Sequence, residues 1–158
     1  MIDNEDLSIL KELKRDSRQT TRDIGRILEV SSTTIHRRLN NLIKNGYIKQ
    51  FTIVPDWNKL ERETLAFIMI SVDYDHIKKK KATQAEMAEK LRKHPFVFDA
   101  ATITGSKDLL IKVRAKDTKE LDRFINYLRK VPGIHRTETL VVLHEATRYD
   151  NPFDKPYY

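Results

Sequence analysis

The chain contains no cysteine. That excludes disulfides, thiolate-held iron–sulfur clusters and cysteine nucleophiles. Glycine is scarce too, with only four residues, which leaves little for a nucleotide-cradling loop. No phosphate-binding Gly loop, His-Glu-x-x-His helix or nucleophile motif occurs. The histidines His36, His76, His94, His135 and His144 are scattered along the chain. No catalytic residue, metal site or cofactor is therefore predicted. No run approaches the roughly 18 apolar residues that a membrane helix needs. The start, Met1-Ile2-Asp3-Asn4-Glu5-Asp6, is acidic, so neither a signal nor a transit peptide is predicted, and a cytoplasmic protein is expected.

What remains is a surface-rich globular composition, with 39% hydrophobic and 34% charged residues in 158. That length suits one ordinary domain or two small ones. The net charge of +7 fits a polyanionic partner, and equally a Lys-rich surface kept soluble by its charge. Abundant Lys and Glu without Cys is also a thermophile composition.

The first third reads as three short helices. Asp3, Asn4 and Asp6 suit a first turn, and Leu7, Ile9, Leu10 and Leu13 give an apolar face to a helix over residues 3–16. Thr20 with Asp23 forms an acidic capping box for a second helix, whose predicted buried stripe is Ile24, Ile27 and Leu28. After a break at Glu29-Val30, Ser31 caps a third helix. Ile35, Leu39, Leu42 and Ile43 form its inward face, and Asn45-Gly46 stops it. Residues 47–54 alternate and are rich in β-formers, so they read as a strand suited to a short wing; residues 55–63 read as a linker.

The rest has a different rhythm. A strand over 65–74, apolar on both faces, is followed by a helix over 83–93 and strands over 97–104 and 109–115. Gly105-Ser106-Lys107-Asp108 joins that hairpin. A second helix carries Leu121, Phe124, Ile125 and Leu128, and a last strand covers 134–143. This βαββαβ order predicts a ferredoxin-like sheet with both helices on one face. The other face still carries apolar side chains, so its burial against another subunit is expected. The fold class is thus α+β: a winged helix-turn-helix over 1–54, a linker over 55–63, and a βαββαβ domain with a C-terminal tail over 64–158.

A helix-turn-helix sets its second helix into the major groove, which here is the helix beginning after Ser31. Its outward positions include Thr33, His36, Arg37, Asn40, Asn41 and Lys44, with Arg38 at the boundary. From Ser31 to Gln50 there are four basic residues and no acidic one. Arg bonds guanine bidentately and Asn bonds adenine. The hydroxyls of Thr20, Ser31, Ser32, Thr33 and Thr34 suit bases or phosphates. Arg18, Arg22 and Arg26 add phosphate contacts from the preceding segment. Double-stranded DNA is the expected partner.

The pattern Asp3-x-x-Asp6-x-x-Ile9-Leu10-x-x-Leu13, Asp16-x-Arg18, Val30-Ser31-x-x-Thr34-Ile35-x-x-Arg38-Leu39-x-x-Leu42-x-x-x-Gly46-x-Ile48 resembles the Lrp/AsnC family of leucine- and asparagine-responsive regulators. The resemblance covers nearly the whole chain, because the βαββαβ half is similar to that family's ligand-sensing and oligomerisation domain. It implies a DNA-binding transcription regulator, a homodimer assembling to an octamer, and an amino-acid effector held between subunits. Thr104-Gly105-x-x-Asp108 is similar to the loop lining that effector pocket, with Thr137 and Thr139 on the last strand facing the same pocket. Gly lets backbone N–H groups approach a carboxylate, and Asp holds an ammonium. The bland alternative is that Gly105 and Asp108 simply make a tight turn. Two departures stand out. Glu29 occupies a turn where the family has Gly, which implies a differently shaped turn. The Lys78–Lys81 run is more basic than that loop usually is, and it reads as a solvated loop or a DNA contact.

Two rival readings share this architecture. One is an enzyme similar to the sirohaem decarboxylases, using histidine; the phosphate-loop pattern of the acylphosphatases is missing. The other is a ligand-binding assembly protein that no longer binds DNA, against which the charge of the third helix argues.

Overall fold

A computed structural model of the chain describes residues 2–145. They divide into two compact units, residues 2–54 and Pro55–Glu145. The tail predicted beyond Glu145 lies outside the described residues.

The first unit is built from three helices, each started by a side-chain cap: α1 (Asn4–Arg15), α2 (Thr21–Leu28) and α3 (Ser32–Lys44). Asp3 accepts from the Asp6 amide at 2.9 Å, and Asp6 returns a bond to the Asp3 amide. Thr20 and Asp23 repeat that reciprocal box at α2, and the Ser31 hydroxyl accepts from the Thr34 amide at α3. Such caps satisfy amides that have no partner inside the helix. Ile9, Leu13, Ile24, Ile35 and Leu42 are buried together, with Leu10, Leu28, Val30, Leu39 and Ile48 packed around them. Ile27 and Ile43, predicted inward, are instead 50% and 44% exposed. Three short helices cover only one side of each other, and these two side chains lie beyond that side.

Two backbone features set the α2–α3 turn. A Cβ on Gly25 would lie 2.5 Å from the Val30 carbonyl oxygen, so only glycine lets α2 pass this close. Glu29 takes φ 56 and ψ 35. The turn therefore keeps the left-handed geometry that glycine favours, although the residue is not glycine. The expected change of shape does not occur, and the chain carries the strain instead, about 1 kcal/mol.

No strand forms over residues 47–54. The Tyr47 and Ile48 amides close onto the Leu42 carbonyl at the end of α3, and beyond them Phe51, Ile53 and Val54 are 52%, 81% and 65% exposed. The wing expected from the alternation of this segment is not formed among the described residues: alternation supplies a face, and a strand also needs a partner backbone.

The second unit runs β1 (Thr64–Val72), α4 (Tyr74–Lys80), α5 (Gln84–Arg92), β2 (Val97–Thr102), β3 (Leu109–Ala115), α6 (Thr118–Leu128) and β4 (Ile134–Val141). The strands pair antiparallel in the order β2-β3-β1-β4, the ferredoxin-like arrangement. Alternate residues of β1 and β3, including Ile68, Ile70, Ile111 and Val113, join Ala88, Leu91, Phe124 and Leu128 of the helices in one core. The opposite sheet face carries Phe67, Met69 and Leu110, half-buried, and Leu140, 50% exposed.

Two corrections concern boundaries. Residues 55–63 belong to this second unit: Trp57 meets Phe98 edge-on at 4.5 Å and lies under the Arg114 guanidinium, and Arg62 bonds Glu120 at 2.9 Å. The run Lys78–Lys81 is the last turn and cap of α4, not a loop. Asp73 starts this helix by accepting from the His76 amide, and Ile77 buries its inner side.

His94 is accounted for by packing. Its ring lies 4.6 Å from that of Phe124 and 5.1 Å from that of Tyr127, and its Nδ1 accepts from the Phe96 amide. Burial lowers its pKa below the ordinary histidine value, so it is a neutral, satisfied ring.

The strain at Glu29 is measurable. Replacing Glu29 by Gly removes it at some cost in unfolded-chain entropy, and should raise the unfolding free energy of the first unit by about 0.5–1 kcal/mol. Urea titration followed by circular dichroism reads this. A loss of stability would show that Glu29 contributes more through its side chain than its backbone costs.

Candidate nucleic-acid interface and effector loop

α3 presents two opposite stripes. Ile35, Leu39 and Leu42 face the core. Thr33, His36, Arg37, Asn40, Asn41 and Lys44 are exposed, and their three- and four-residue spacing places them in one line along the helix. Asn40 and His36 lie within 3.3 Å of each other. Asn41 directs its backbone carbonyl, not its side chain, to Asn45. Every side chain of the stripe is therefore presented to solvent.

Other predicted residues have internal duties. The hydroxyls of Ser31 and Thr34 bond each other at 2.8 Å while Ser31 caps α3. Thr20 donates to Asp23 at 2.6 Å while capping α2, and this bond holds the Asp23 carboxyl below its ordinary pKa. Ser32, Arg18 and Arg22 are exposed, and Arg26 lies 3.7 Å from Asp23. These cations flank the exposed stripe only in sequence; Arg18 is placed by its amide, which donates to Asp16.

Arg38 differs from all of them. Its Nη1 lies 2.8 Å from Asp3 and 2.9 Å from Asp6, and its Nη2 lies 2.5 Å from Glu5. Its side chain is 20% exposed. These bonds raise the guanidinium pKa above the ordinary arginine value. The Asp6 amide and Arg38 in turn hold the Asp3 carboxyl below its usual range. Arg38 thus ties α3 to the start of α1, which removes it from the groove-facing set.

In the second unit, the loop between β2 and β3 is fastened at Asp108. Its Oδ2 accepts from the Val72 amide at 2.8 Å. Its Oδ1 accepts from Gln84 at 3.0 Å and from the Tyr74 hydroxyl. The backbone adds bonds from the Asp108 amide to Ile70 and from the Ile103 amide to Asp108. The Asp108 carboxylate pushes the Tyr74 pKa up, so the phenol stays a donor. A carboxylate offers about four acceptor positions, and three are taken here. Gly105 has φ 124, with nothing within 4 Å of a built Cβ, and Thr104 is exposed. The loop tip therefore offers open backbone next to one spare carboxylate lone pair.

Thr137 and Thr139 pair with Ile70 and Ile68 across β1. Thr137 thus adjoins the end of β1 that the loop also grips, while Thr139 lies farther along the sheet. Lys107 reaches β4 from the loop, with Nζ 3.1 Å from Glu138. Tyr74, Gln84 and Lys107 were not singled out from the sequence. Tyr74 had a local signal, an Asp73 cap before a short helix, but the strand was expected to run through residue 74, whereas β1 ends at Val72 and Tyr74 opens α4. Among the described residues no group of three or more His, Asp or Glu side chains is arranged to hold a metal ion, and no helix is long and apolar enough to cross a membrane.

Comparison with known proteins bears on both units. Residues 2–49 match a winged helix-turn-helix DNA-binding family, and residues 65–152 match the Lrp/AsnC ligand binding domain. An uncharacterised HTH-type transcriptional regulator of Pyrococcus horikoshii is 37% identical, over 89% of this chain and 92% of its own. The HTH-type transcriptional regulator FL11 of the same organism is 33% identical, over 92% and 93%. The structure of AsnC from E. coli aligns with TM-score 0.81 and 27% identity, over 94% of this chain and 96% of that one. A Neisseria meningitidis transcriptional regulator in complex with L-Met has the same fold, with TM-score 0.82 and 24% identity, over 94% of each chain.

Arginines 37 and 38 are neighbours with opposite assignments. Arg37→Ala should weaken specific DNA binding by about 1–3 kcal/mol, roughly 5- to 150-fold, and leave the melting temperature unchanged. Arg38→Ala should lower the melting temperature by releasing three mutually repelling carboxylates. Fluorescence anisotropy and thermal circular dichroism on both variants would decide; equal melting shifts would show that the faces of α3 are wrongly assigned.

Proposed function

Because the chain belongs to the Lrp/AsnC family, and is a DNA-binding transcription regulator with a small-molecule-binding domain, we propose that α3 reads operator DNA under the control of an amino acid. The observation that carries the reading is the exposed stripe Thr33-His36-Arg37-Asn40-Asn41-Lys44, backed by a buried apolar stripe on the same helix. Arg37 suits guanine, Asn40 and Asn41 suit adenine, and Lys44 suits a phosphate. Ser31 and Thr34 serve by shaping the start of α3, where the remaining first-turn amides would suit a phosphate.

The protein would act as a two-fold dimer in the cytoplasm, presenting two copies of α3 about one DNA turn apart. Half-exposed Leu140 and Phe98 on β4 and β2 and the unpaired apolar segment 47–54 are surface that a second copy would cover. Dimers would group further, toward an octamer.

The effector would be a free amino acid. Its carboxylate suits the open amides around Gly105, and its ammonium the remaining acceptor of Asp108. Thr104 and Thr137 would add hydroxyl bonds, and Thr139 more remotely. Because Asp108 already holds Val72, Gln84 and Tyr74, a ligand bound there would pull on β1, α4 and α5 together. That provides a physical route from ligand to assembly.

The test is to sequence the duplexes retained by the purified protein with and without a pool of amino acids, and to repeat it with Asp108→Asn. Retention of a defined motif is expected, shifted in strength by the pool. The Asn variant keeps one acceptor oxygen but loses the charge and sets an NH2 against a donor that Asp108 now accepts from, so its effector affinity should fall on the order of 10- to 100-fold, with a lower melting temperature of the second unit as a control on the loosened loop and a defined motif still retained without effector. A normal response in the variant would place the ammonium elsewhere, and retention of random sequence would remove α3 as a reader.

A further inference from the structure

The sequence from Asp73 to Lys81 concentrates four lysines at the end of one short helix. Residues 55–145 hold eighteen Lys and Arg against fourteen Asp and Glu. The excess of four equals the Lys78–Lys81 run, without which this unit would be neutral.

Lysines in a last helical turn complement the helix dipole, and that explains Lys78, Lys79 and Lys80 in part. It does not explain Lys81. This residue caps α4 with φ 50, the left-handed conformation in which glycine would relieve the strain. A fourth cation sits there in spite of that strain.

The four ammonium groups are also left unpaired as one contiguous run. Of the other lysines in this unit, Lys59, Lys107, Lys112 and Lys116 each approach a carboxylate within 4 Å, while Lys90, Lys93, Lys119 and Lys130 lie singly along the chain with no ion pair among the described residues. Lys78, Lys79, Lys80 and Lys81 are exposed and form no ion pair among the described residues. They are nevertheless held in place. Ile77 is 8% exposed, Asp73 caps the helix, and Tyr74 is bonded to Asp108. The backbone that carries the run is thus anchored, and no carboxylate among the described residues pairs with its four ammonium groups.

We propose that Lys78–Lys81 is a second DNA-binding surface, which engages the phosphates of duplex flanking the site read by α3. It rests on the DNA-reading role assigned to α3. Lysine binds phosphate as a point charge without base preference, so this surface adds affinity and extends the bound length of duplex but reads no sequence. A lipid surface fits less well. Membrane-docking helices expose an apolar face beside their cations, whereas Ile77 is turned into the core.

The experiment uses the full-length protein with all four lysines changed to Gln, and separately all four changed to Arg. Each is titrated, over a range of salt, on a duplex spanning the retained site alone and on one extended by about three helical turns on each side. The wild type and the Arg variant should bind the long duplex more tightly, with a steeper salt slope. The Gln variant should lose that advantage. Each phosphate that is no longer neutralised flattens the slope by about 0.9, so two such phosphates remove about tenfold of the change between roughly 50 and 200 mM salt. Binding to the short duplex should be unchanged, which also shows that the variant is folded.

An unaltered slope on the long duplex in the Gln variant would overturn the proposal and leave the α3 assignment standing. Absence of site-specific binding by the wild type to the short duplex would instead overturn the α3 assignment. Anionic lipid vesicles form a third arm: lysine-dependent binding to them without a slope change on DNA would also overturn the proposal.

Discussion

The ion-paired position of Arg38 decides what the first unit can do. A helix with an apolar stripe still has rotational freedom of some tens of degrees about its axis, because aliphatic contacts are not directional. Arg38 removes it. Three carboxylates at the start of α1 converge on one guanidinium, and their number makes the geometry selective: only one rotation of α3 serves Asp3, Glu5 and Asp6 together. The same acids sit at the positive end of the α1 dipole, and Asp3 and Asp6 also cap that helix. Helix start, interhelix clasp and the exposure of Arg37 and Asn41 are therefore consequences of one cluster.

Asp108 has the corresponding place in the second unit. Its carboxylate joins the end of β1, the first turn of α4 and the first residue of α5. A tight turn alone would not need this, since Gly105 and the backbone bonds of Ile103 and Asp108 already close the hairpin. The extra bonds make the loop part of the helix layer, so the loop cannot move without α4 and α5. Lys107 adds a link to β4 through Glu138.

The sequence made the helix starts legible because capping is local. Asp3, Thr20 and Ser31 satisfy amides two or three residues away, and no distant partner is needed. The sheet arrangement followed from the βαββαβ order of elements. Five features were hidden, for different reasons. Residues 47–54 have strand chemistry, but a strand is a relation between two backbones and no second one pairs with them among the described residues. Ile27 and Ile43 lie on helix faces whose apolar character is visible, while whether anything covers them depends on packing. The partners of Arg38 are more than 30 residues away, so an arginine at the edge of a polar face gave no sign that it was spoken for. Helix α4 is only seven residues long, too short for periodicity to declare it, and its lysines read as loop. At the candidate effector loop, Gly105 and Asp108 stood out by resemblance, whereas Tyr74 and Gln84 come to Asp108 only through folding.

The charge distribution constrains how such a protein gains affinity. The stripe on α3 contains two permanent cations, Arg37 and Lys44, among uncharged reading groups. Arg18 and Arg22 are exposed nearby in sequence, while Arg26 lies near Asp23 and Arg38 is committed to α1. The stripe by itself thus offers few phosphate contacts, and phosphate contacts supply most of the sequence-independent part of binding. An interface of this composition discriminates bases better than it holds DNA. Doubling the reader in a two-fold dimer raises affinity without altering that discrimination, and it does so in proportion to how rigidly the two copies are spaced. In the proposed dimer, whatever contact joins the two copies would set that spacing, and a ligand that altered the contact would change binding without touching a base.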